Sequence, residues 1–304
     1  SSADHPAIFP PGKRRMKYQN GGDFRRALEQ RLHSQSIKTG VPLVRLRKMV
    51  AFDRFLARLQ PEQWVLKGGV ALQLRLGIRA RTTKDIDVLA LLQPSEITAA
   101  LRKAGSIDLD DWFSFEVAEP SSLPAAVIGG RRHAVQALLD GRTFEQFHID
   151  VGTGDPIVDQ VETLSLPALL DFADLPPTHF SCYPVTQQIA EKLHALTRPH
   201  PSGASSRLKD MVDIVLLSDL GEIDGARLST AVQATFAAMG THPIPVSLPA
   251  PLPNWNREFL NLRKNLGLEN MTLMQANEIA QTFLEPVLMG VRVGRWDPLK
   301  RSWE

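Results

Sequence analysis

The stretch from Lys67 to Asp87, KGGVALQLRLGIRARTTKDID, constrains this chain more than any other. It sets a Gly-Gly pair before a helical run, follows it with a basic turn, and closes with two acids one residue apart in an apolar setting. In DIDVLALL, Asp85 and Asp87 alternate with Ile86 and Val88, and in a strand, where side chains alternate between faces, both acids point the same way. Like charges that close repel unless a cation lies between them. Magnesium suits the role, because it takes hard oxygen ligands and binds few carboxylates beside substrate phosphates. A solvated strand face has the same local pattern, and the upstream glycines separate the two readings. Gly68 and Gly69 precede a helix from Val70 to Leu76. Glycines at a helix start let backbone N–H groups approach an anion closely, and the helix dipole adds to the attraction. A glycine turn for a triphosphate and paired acids for its metal describe a metal-dependent phosphate site. Fifteen residues lie between Gly69 and Asp85, room for a longer helix or turn.

A third acid follows from a hairpin. Arg132 to Leu139 and Thr143 to Val151 flank Asp140-Gly141, a favoured tight-turn pair. In the second arm Phe144, Gln146, His148 and Asp150 share one face, and Glu145, Phe147, Ile149 and Val151 the other. Asp150 would complete a two-metal magnesium cage with Asp85 and Asp87, holding the ion nearer the attacking hydroxyl and assisting its deprotonation. A strand-end aspartate before Gly152 is the plain alternative. His148 shares that face but reads as a structural histidine. Further on, QQIAEKLHALTR and RLKDMVDIVLL carry helical periodicity, Ile189, Leu193 and Leu196 forming one apolar stripe while Lys192 points elsewhere.

Taken in order, KGGVALQLR, RTTKDIDVL, QQIAEKLHALTR and RLKDMVDIVLL resemble the nucleotidyltransferase-like toxins of the abortive-infection AbiEii/AbiGii group, over about residues 60–220. The resemblance implies an α/β (α+β) fold: a polymerase-beta-like mixed sheet, preceded by basic N-terminal helices and followed by a helical C-terminal domain. It implies catalytic roles for Asp85, Asp87, Asp150, Lys192 and Asp210, and nucleotide binding by Lys67, Gly68, Gly69, Arg81, Thr83, Lys192 and Lys209. The lysine of EKL faces the nucleotide phosphates in that group; a solvated helix lysine is the alternative. Lys209 and Asp210 match the group's basic-Asp pair. Asp210 orients Lys192 or touches the nucleotide, and Asp213 fits a structural role, bonding a helix end or an arginine.

The implied activity is that of a toxin in a toxin–antitoxin system. A magnesium-dependent nucleotidyltransferase would move NMP from an NTP to an acceptor hydroxyl, the tRNA 3′ end, and so block translation. Mycobacterial members of the group pair with antitoxins and modify tRNA. The alternatives are a small-molecule or protein acceptor, or a non-catalytic nucleic-acid-binding relative; the intact acidic set argues against the last. The cognate antitoxin is a partner, and as a kinase it would act at Thr83, where a phosphate adds about two negative charges beside Asp85 and Asp87. Otherwise Thr82 and Thr83 cap or tighten the turn.

Composition sets the frame. The 304 residues, 43% hydrophobic and 22% charged, suit a soluble globular protein with a sizeable core. No apolar run approaches a membrane span and the N-terminus lacks a signal-peptide core, so the expectation is a cytoplasmic protein without a membrane partner. The one cysteine, Cys182, forms no internal disulfide, and no Cys/His group has zinc spacing. Net charge is +2, but Lys13 to Lys84 hold 18 Lys or Arg against four acids, and residues 85 to 304 hold 17 against 28. That lopsidedness suggests a polyanionic partner; arginine-rich helix surfaces kept for solubility are the alternative.

The expected organisation is a flexible basic arm over 1–22, N-terminal helices over 23–60, a catalytic domain over 61–155, a connector over 156–185 and a helical domain over 186–304. Phe24 to Leu32 and Pro42 to Leu59 read as helices, the second turning Arg45, Arg47, Lys48, Arg54 and Arg58 to solvent or RNA. Ser95 caps a helix ended by Gly105, Phe113 to Val117 is a strand, and Thr186 caps the helix Gln187 to Thr197. Beyond Ala226 the chain reads as helical with one Pro-rich break, Thr241 to Pro253. Asp85→Asn is expected to abolish nucleotide transfer and toxicity while preserving the circular dichroism of the wild type; a folded, active mutant would sink the assignment.

Overall fold

Trp64, Val65 and Leu66 are buried side by side in one strand, and a strand apolar on both faces belongs inside a sheet. The computed structural model describes residues 17–122, 130–199 and 207–304. In chain order its elements are α1 (Gly21–Thr39), α2 (Leu43–Leu56), β1 (Trp64–Lys67), α3 (Gly68–Leu76), β2 (Ile86–Ala90), α4 (Ile97–Gly105), β3 (Phe113–Val117), β4 (Ser121–Ser122), β5 (Arg131–Leu139) and β6 (Arg142–Thr153). There follow β7 (Glu162–Ser165), β8 (His179–Cys182), α5 (Val185–Thr197), α6 (Leu208–Ser218), β9 (Ile223–Asp224), α7 (Gly225–Met239), α8 (Trp255–Leu262), α9 (Leu273–Leu288), β10 (Arg295–Asp297) and β11 (Ser302–Trp303). Among the described residues the main sheet runs β3-β5-β6-β2-β1-β8-β7, with β4 paired to β5. β2 and β6 are parallel, as are β1 and β8, and the other pairs are antiparallel. The mixed α/β sheet expected from the sequence is the one observed.

Two apolar cores flank the site. Phe24 and Leu28 of α1 and Phe52 and Phe55 of α2 are buried with Ile86, Val88, Phe147 and Ile149 of the sheet. Each such side chain contributes about 1.5–3 kcal/mol. Ile189 and Leu193 of α5 join α6, α7 and α9 in the second core. The short helix α3 belongs to both: Val70 and Ala71 face the first, Leu72 and Leu76 the second.

Several expectations are corrected. Most of the cations expected to face solvent or RNA from Pro42 to Leu59 are turned inward, Lys48 alone lining the cleft beside Asp85. Arg45, Arg54 and Arg58 are buried, drawn inward by unsatisfied carbonyls and carboxylates: Arg45 donates to the Gly77 carbonyl, Arg54 pairs with Asp53, and Arg58 pairs with Asp111 at 2.6 Å. Arg47 binds Glu29 at 2.7 Å, and Lys48 donates to the Gln146 carbonyl at 2.7 Å. Helix α1 is longer than Phe24 to Leu32, because Asn20 caps its start and Gly40, in the left-handed region, ends it. Ser95 is not a cap; it lies in a turn closed by Glu96, and α4 begins after it. Gly105 serves close packing, since a Cβ there would meet the Phe115 carbonyl at 2.6 Å. Thr186 lies inside α5, whose first amide, from Val185, donates to Glu162 at 3.0 Å.

The hairpin turns at Asp140 and Gly141, both with positive φ as that turn requires. A bulge between Ala137 and Leu138 shifts its register, so Phe144 is buried beside Phe147 instead of sharing the face of His148 and Asp150. The segment 156–185, expected as connector, contains β7 and β8, which pair with each other and extend the main sheet past β1. The C-terminal part is not purely helical: β9, β10 and β11 form a small sheet, with Trp296 and Trp303 packed on Phe283 of α9. The expected arm lies outside the described residues up to residue 16. Arg58 and Asp111 have fully buried side chains, and removing one partner leaves an uncompensated charge. Asp111→Ala is expected to lose about 3–5 kcal/mol in denaturant unfolding.

Candidate active site

Lys67 ends β1 opposite Asp87 of β2, and the chain then turns into α3. Gly68 makes that turn at φ 60°; a Cβ there would fall on the Asp87 carboxylate, and one at Gly69 would meet Thr83 Oγ1 at 2.5 Å. Glycine is required at both places by close approach. The Gly69 amide donates to Asp87 Oδ2 at 3.3 Å, so the start of α3 already faces an anion, as its dipole favours. Gln188 of α5 donates to the Gly68 carbonyl at 2.9 Å and holds the turn from the other side. The long stretch between Gly69 and Asp85 is α3, a short 3-10 turn and an extended segment. Thr83 closes that segment with a 3.2 Å hydrogen bond to the Asp85 carbonyl.

Asp87 and Asp150 stand in register on the parallel strands β2 and β6. Burial, and then the charge of Asp150, push the Asp87 carboxyl above the usual carboxylate range, against the pull of the Gly69 amide, Lys67 and Lys192. Arg132 of β5 lies across the ladder from Asp150. Its Nε and Nη2 donate to the two Asp150 oxygens at 2.7 and 2.6 Å, and Nη2 stands 3.6 Å from Asp85 Oδ2. His148 places Nδ1 3.2 Å from Asp85 Oδ1. Beside this group opens a cleft of about 600 Å³, lined in part by Lys84, Asp85, Gln146 and His148.

A second cluster lies on the helical side. Lys192 of α5 reaches Asp210 at 3.0 Å and Asp213 at 2.8 Å, and Arg81 meets Asp213 at 3.1 Å. Burial alone would lower the Lys192 ammonium, but Asp213 and Asp210 outweigh it and hold the group charged. Lys67 is ion-paired with Asp155 and, at 3.3 Å, with Glu191; Tyr183 donates to Asp155 at 3.1 Å.

The structure therefore brings Lys67, Gly68, Gly69, Thr83, Asp85, Asp87 and Asp150 together, and joins Lys192 to Asp210 directly and to Arg81 through Asp213. Lys209 is exposed on α6, with no ion pair among the described residues. Sequence reasoning missed Arg132, Asp155 and Glu191 and set His148 aside. Counting across the Asp140-Gly141 turn would have put Arg131 opposite Asp150; only the bulge makes it Arg132.

Nucleotidyl transfer implies a divalent ion, and the residues fit one. Asp85 and Asp87 offer hard oxygens where negative charge is crowded enough to raise the Asp87 carboxyl. Asp150 does not fit a second ion, contrary to the expected two-metal cage, because Arg132 takes both of its oxygens. Among the described residues no three His, Cys, Asp or Glu side chains are grouped to hold a metal.

A mixed sheet, a glycine turn opening a helix and carboxylates on adjacent central strands match what the sequence led one to expect of a nucleotidyltransferase, a class that fold alone does not establish. Residues 52–284 match the family described as Nucleotidyl transferase AbiEii toxin, Type IV TA system. The chain belongs to that family. Among solved structures it is similar to the MenT4 nucleotidyltransferase toxin of Mycobacterium tuberculosis H37Rv, at 15% identity and a TM-score of 0.54, over 87% of this chain and 99% of that one. At that identity the likeness concerns the fold. The Megavirus polyadenylate synthase aligns at 10% identity over 85% of this chain and 39% of its own, with a TM-score of 0.20 that carries no weight. No curated protein matches the sequence.

Gly40 and Gly68 both have positive φ, but a Cβ on Gly40 meets nothing within 4 Å. Gly40→Ala is expected to cost about 1–2 kcal/mol of stability with transfer unchanged. Gly68→Ala adds a displaced Asp87 and is expected to lower the transfer rate about 100-fold. Equal rates for the two variants would remove Gly68 from the site.

Proposed function

We propose that this chain transfers a nucleoside monophosphate from an NTP to an acceptor hydroxyl, that the acceptor is the tRNA 3′ end, and that the product blocks translation. The new O–Pα bond forms as the bond from Pα to the β-phosphate breaks, and pyrophosphate leaves with the hydroxyl proton lost to solvent. Membership in a type IV toxin family implies an NTP substrate and an antitoxin partner. The observation that carries the chemistry is the approach of the Gly68–Gly69 turn to Asp87, beside Asp85, with Lys192 held charged nearby.

Asp85 and Asp87 would hold a magnesium ion, which when bound neutralises phosphate charge. Lys192 offers an ammonium whose direction Asp210 and Asp213 fix, so it meets the phosphates without reorganising. Arg81, fixed by the same Asp213, contributes a second cation. Lys67, expected to bind nucleotide, is ion-paired with Asp155 and Glu191, and in this reading it also positions the turn and α5. Reaction by this route needs positioning and charge, with no covalent intermediate on the enzyme.

Similarity to the AbiEii/AbiGii toxins supports the tRNA acceptor, together with exposed cations that are chain neighbours of site residues: Lys84 beside Asp85, Arg131 beside Arg132 and Lys209 beside Asp210. Of the α2 cations, Arg45 and Arg54 are buried and Arg47 is tied to Glu29, while Lys48 lines the cleft beside Asp85. Control by an antitoxin kinase at Thr83 would require the turn to open, because that side chain is buried against Gly69. Among the described residues no helix is long and apolar enough to cross a membrane.

Each labelled NTP, incubated with magnesium, the protein and total tRNA and resolved on a denaturing gel, tests the reading. Label on tRNA from one NTP, lost with Asp85→Asn, is expected. Label confined to added protein or antibiotic acceptors would keep the site and replace the acceptor.

A further inference from the structure

Asp150 is the carboxylate that a second, acceptor-side ion would need, yet both its oxygens already accept hydrogen bonds from one guanidinium. Arg132 is held there twice: by the side-chain contact and by its place opposite Asp150 in the β5–β6 ladder. A planar guanidinium matched to a carboxylate binds through two parallel hydrogen bonds, which a point charge cannot reproduce. It also keeps its charge at any ordinary pH. Nη2 is shared between Asp150 and Asp85, so this one cation sits between two of the three carboxylates as an ion would. In the protein alone, before any nucleotide binds, three carboxylates are balanced by one guanidinium and one divalent ion.

We propose that the Arg132 guanidinium takes the place of the second metal ion, so that this enzyme works with a single divalent cation held by Asp85 and Asp87. The proposal rests on the nucleotide-transfer reading and changes how the acceptor side of the site is charged. The Arg132 side chain is 35% exposed, and its Nη1 has no hydrogen-bond partner among the described residues, so that amino group is left to face the acceptor. A positive charge fixed by the fold is present before any substrate arrives, whereas a second ion would have to be recruited for each turnover.

The test counts ions. Mn²⁺ is titrated into the chain with a saturating α,β-methylene NTP analogue, and bound Mn²⁺ is measured by electron paramagnetic resonance. One ion per chain is expected in the wild type and in Asp150→Asn, and two in Arg132→Ala, where Asp150 is released. Two ions in the wild type, falling to one in Asp150→Asn, would overturn the proposal and leave nucleotide transfer standing. A folded Arg132→Ala that still binds one ion would also overturn it, since Arg132 would then not be what keeps the second ion out. No bound Mn²⁺ in the wild type would overturn both the proposal and the metal-dependent reading beneath it.

Discussion

The repulsion between Asp87 and Asp150, placed in register on adjacent parallel strands in the middle of the sheet, is the constraint on which this structure turns. Strands about 4.8 Å apart bring such side chains close, and burial denies them the screening of water. Several groups nearby answer that crowding. The start of α3 turns an amide toward Asp87, Arg132 covers Asp150, and Lys67 and Lys192 lend positive potential from the flanks. The cations are in turn held by their own acids, Asp155 and Glu191 for Lys67, Asp210 and Asp213 for Lys192. The outcome is a site whose charges are fixed in position by backbone register and buried pairs, which is what stabilisation of a developing phosphate charge demands.

Part of this was legible in the sequence because it obeys local rules. The Gly-Gly turn, the alternation of Asp85 to Val88 and the Asp140-Gly141 hairpin each follow from backbone geometry within a few residues. What was not legible depends on partners far along the chain. A helix with five cations reads as a basic surface, and only the tertiary fold reveals that its neighbours include carbonyls of the hairpin and of β3 and a buried Asp111. Arg132 escaped because a single bulge, without a sequence signature of its own, changes which residue faces Asp150. β7 and β8 are short and embedded among prolines, and the C-terminal strands span two or three residues, below what alternation can detect. Asp213, by contrast, was expected to bind an arginine, and it meets Arg81.

The position of α3 explains why the site lies where it does. A nine-residue helix that contributes side chains to both cores cannot shift against one without disturbing the other. The glycine turn at its start is thereby fixed relative to both the sheet that carries the carboxylates and the helices that carry Lys192. Rigid support from two sides is what a site needs when small displacements cost large factors in rate.

The ion pairs of Lys67 bear on inheritance. Lys67 comes from the sheet, Asp155 from the segment after β6, and Glu191 from the same turn of α5 as Lys192. Ion pairs thus cross between the sheet portion and the helical portion, Glu191 of α5 meeting Lys67 and Asp213 of α6 meeting Arg81. A sheet portion and a helical portion taken from two distant relatives would meet with unmatched partners in a partly buried setting, and the penalty would fall beside the site itself. The two portions are therefore bound to diverge together: this boundary, though crossed by a single chain, is a poor place for recombination.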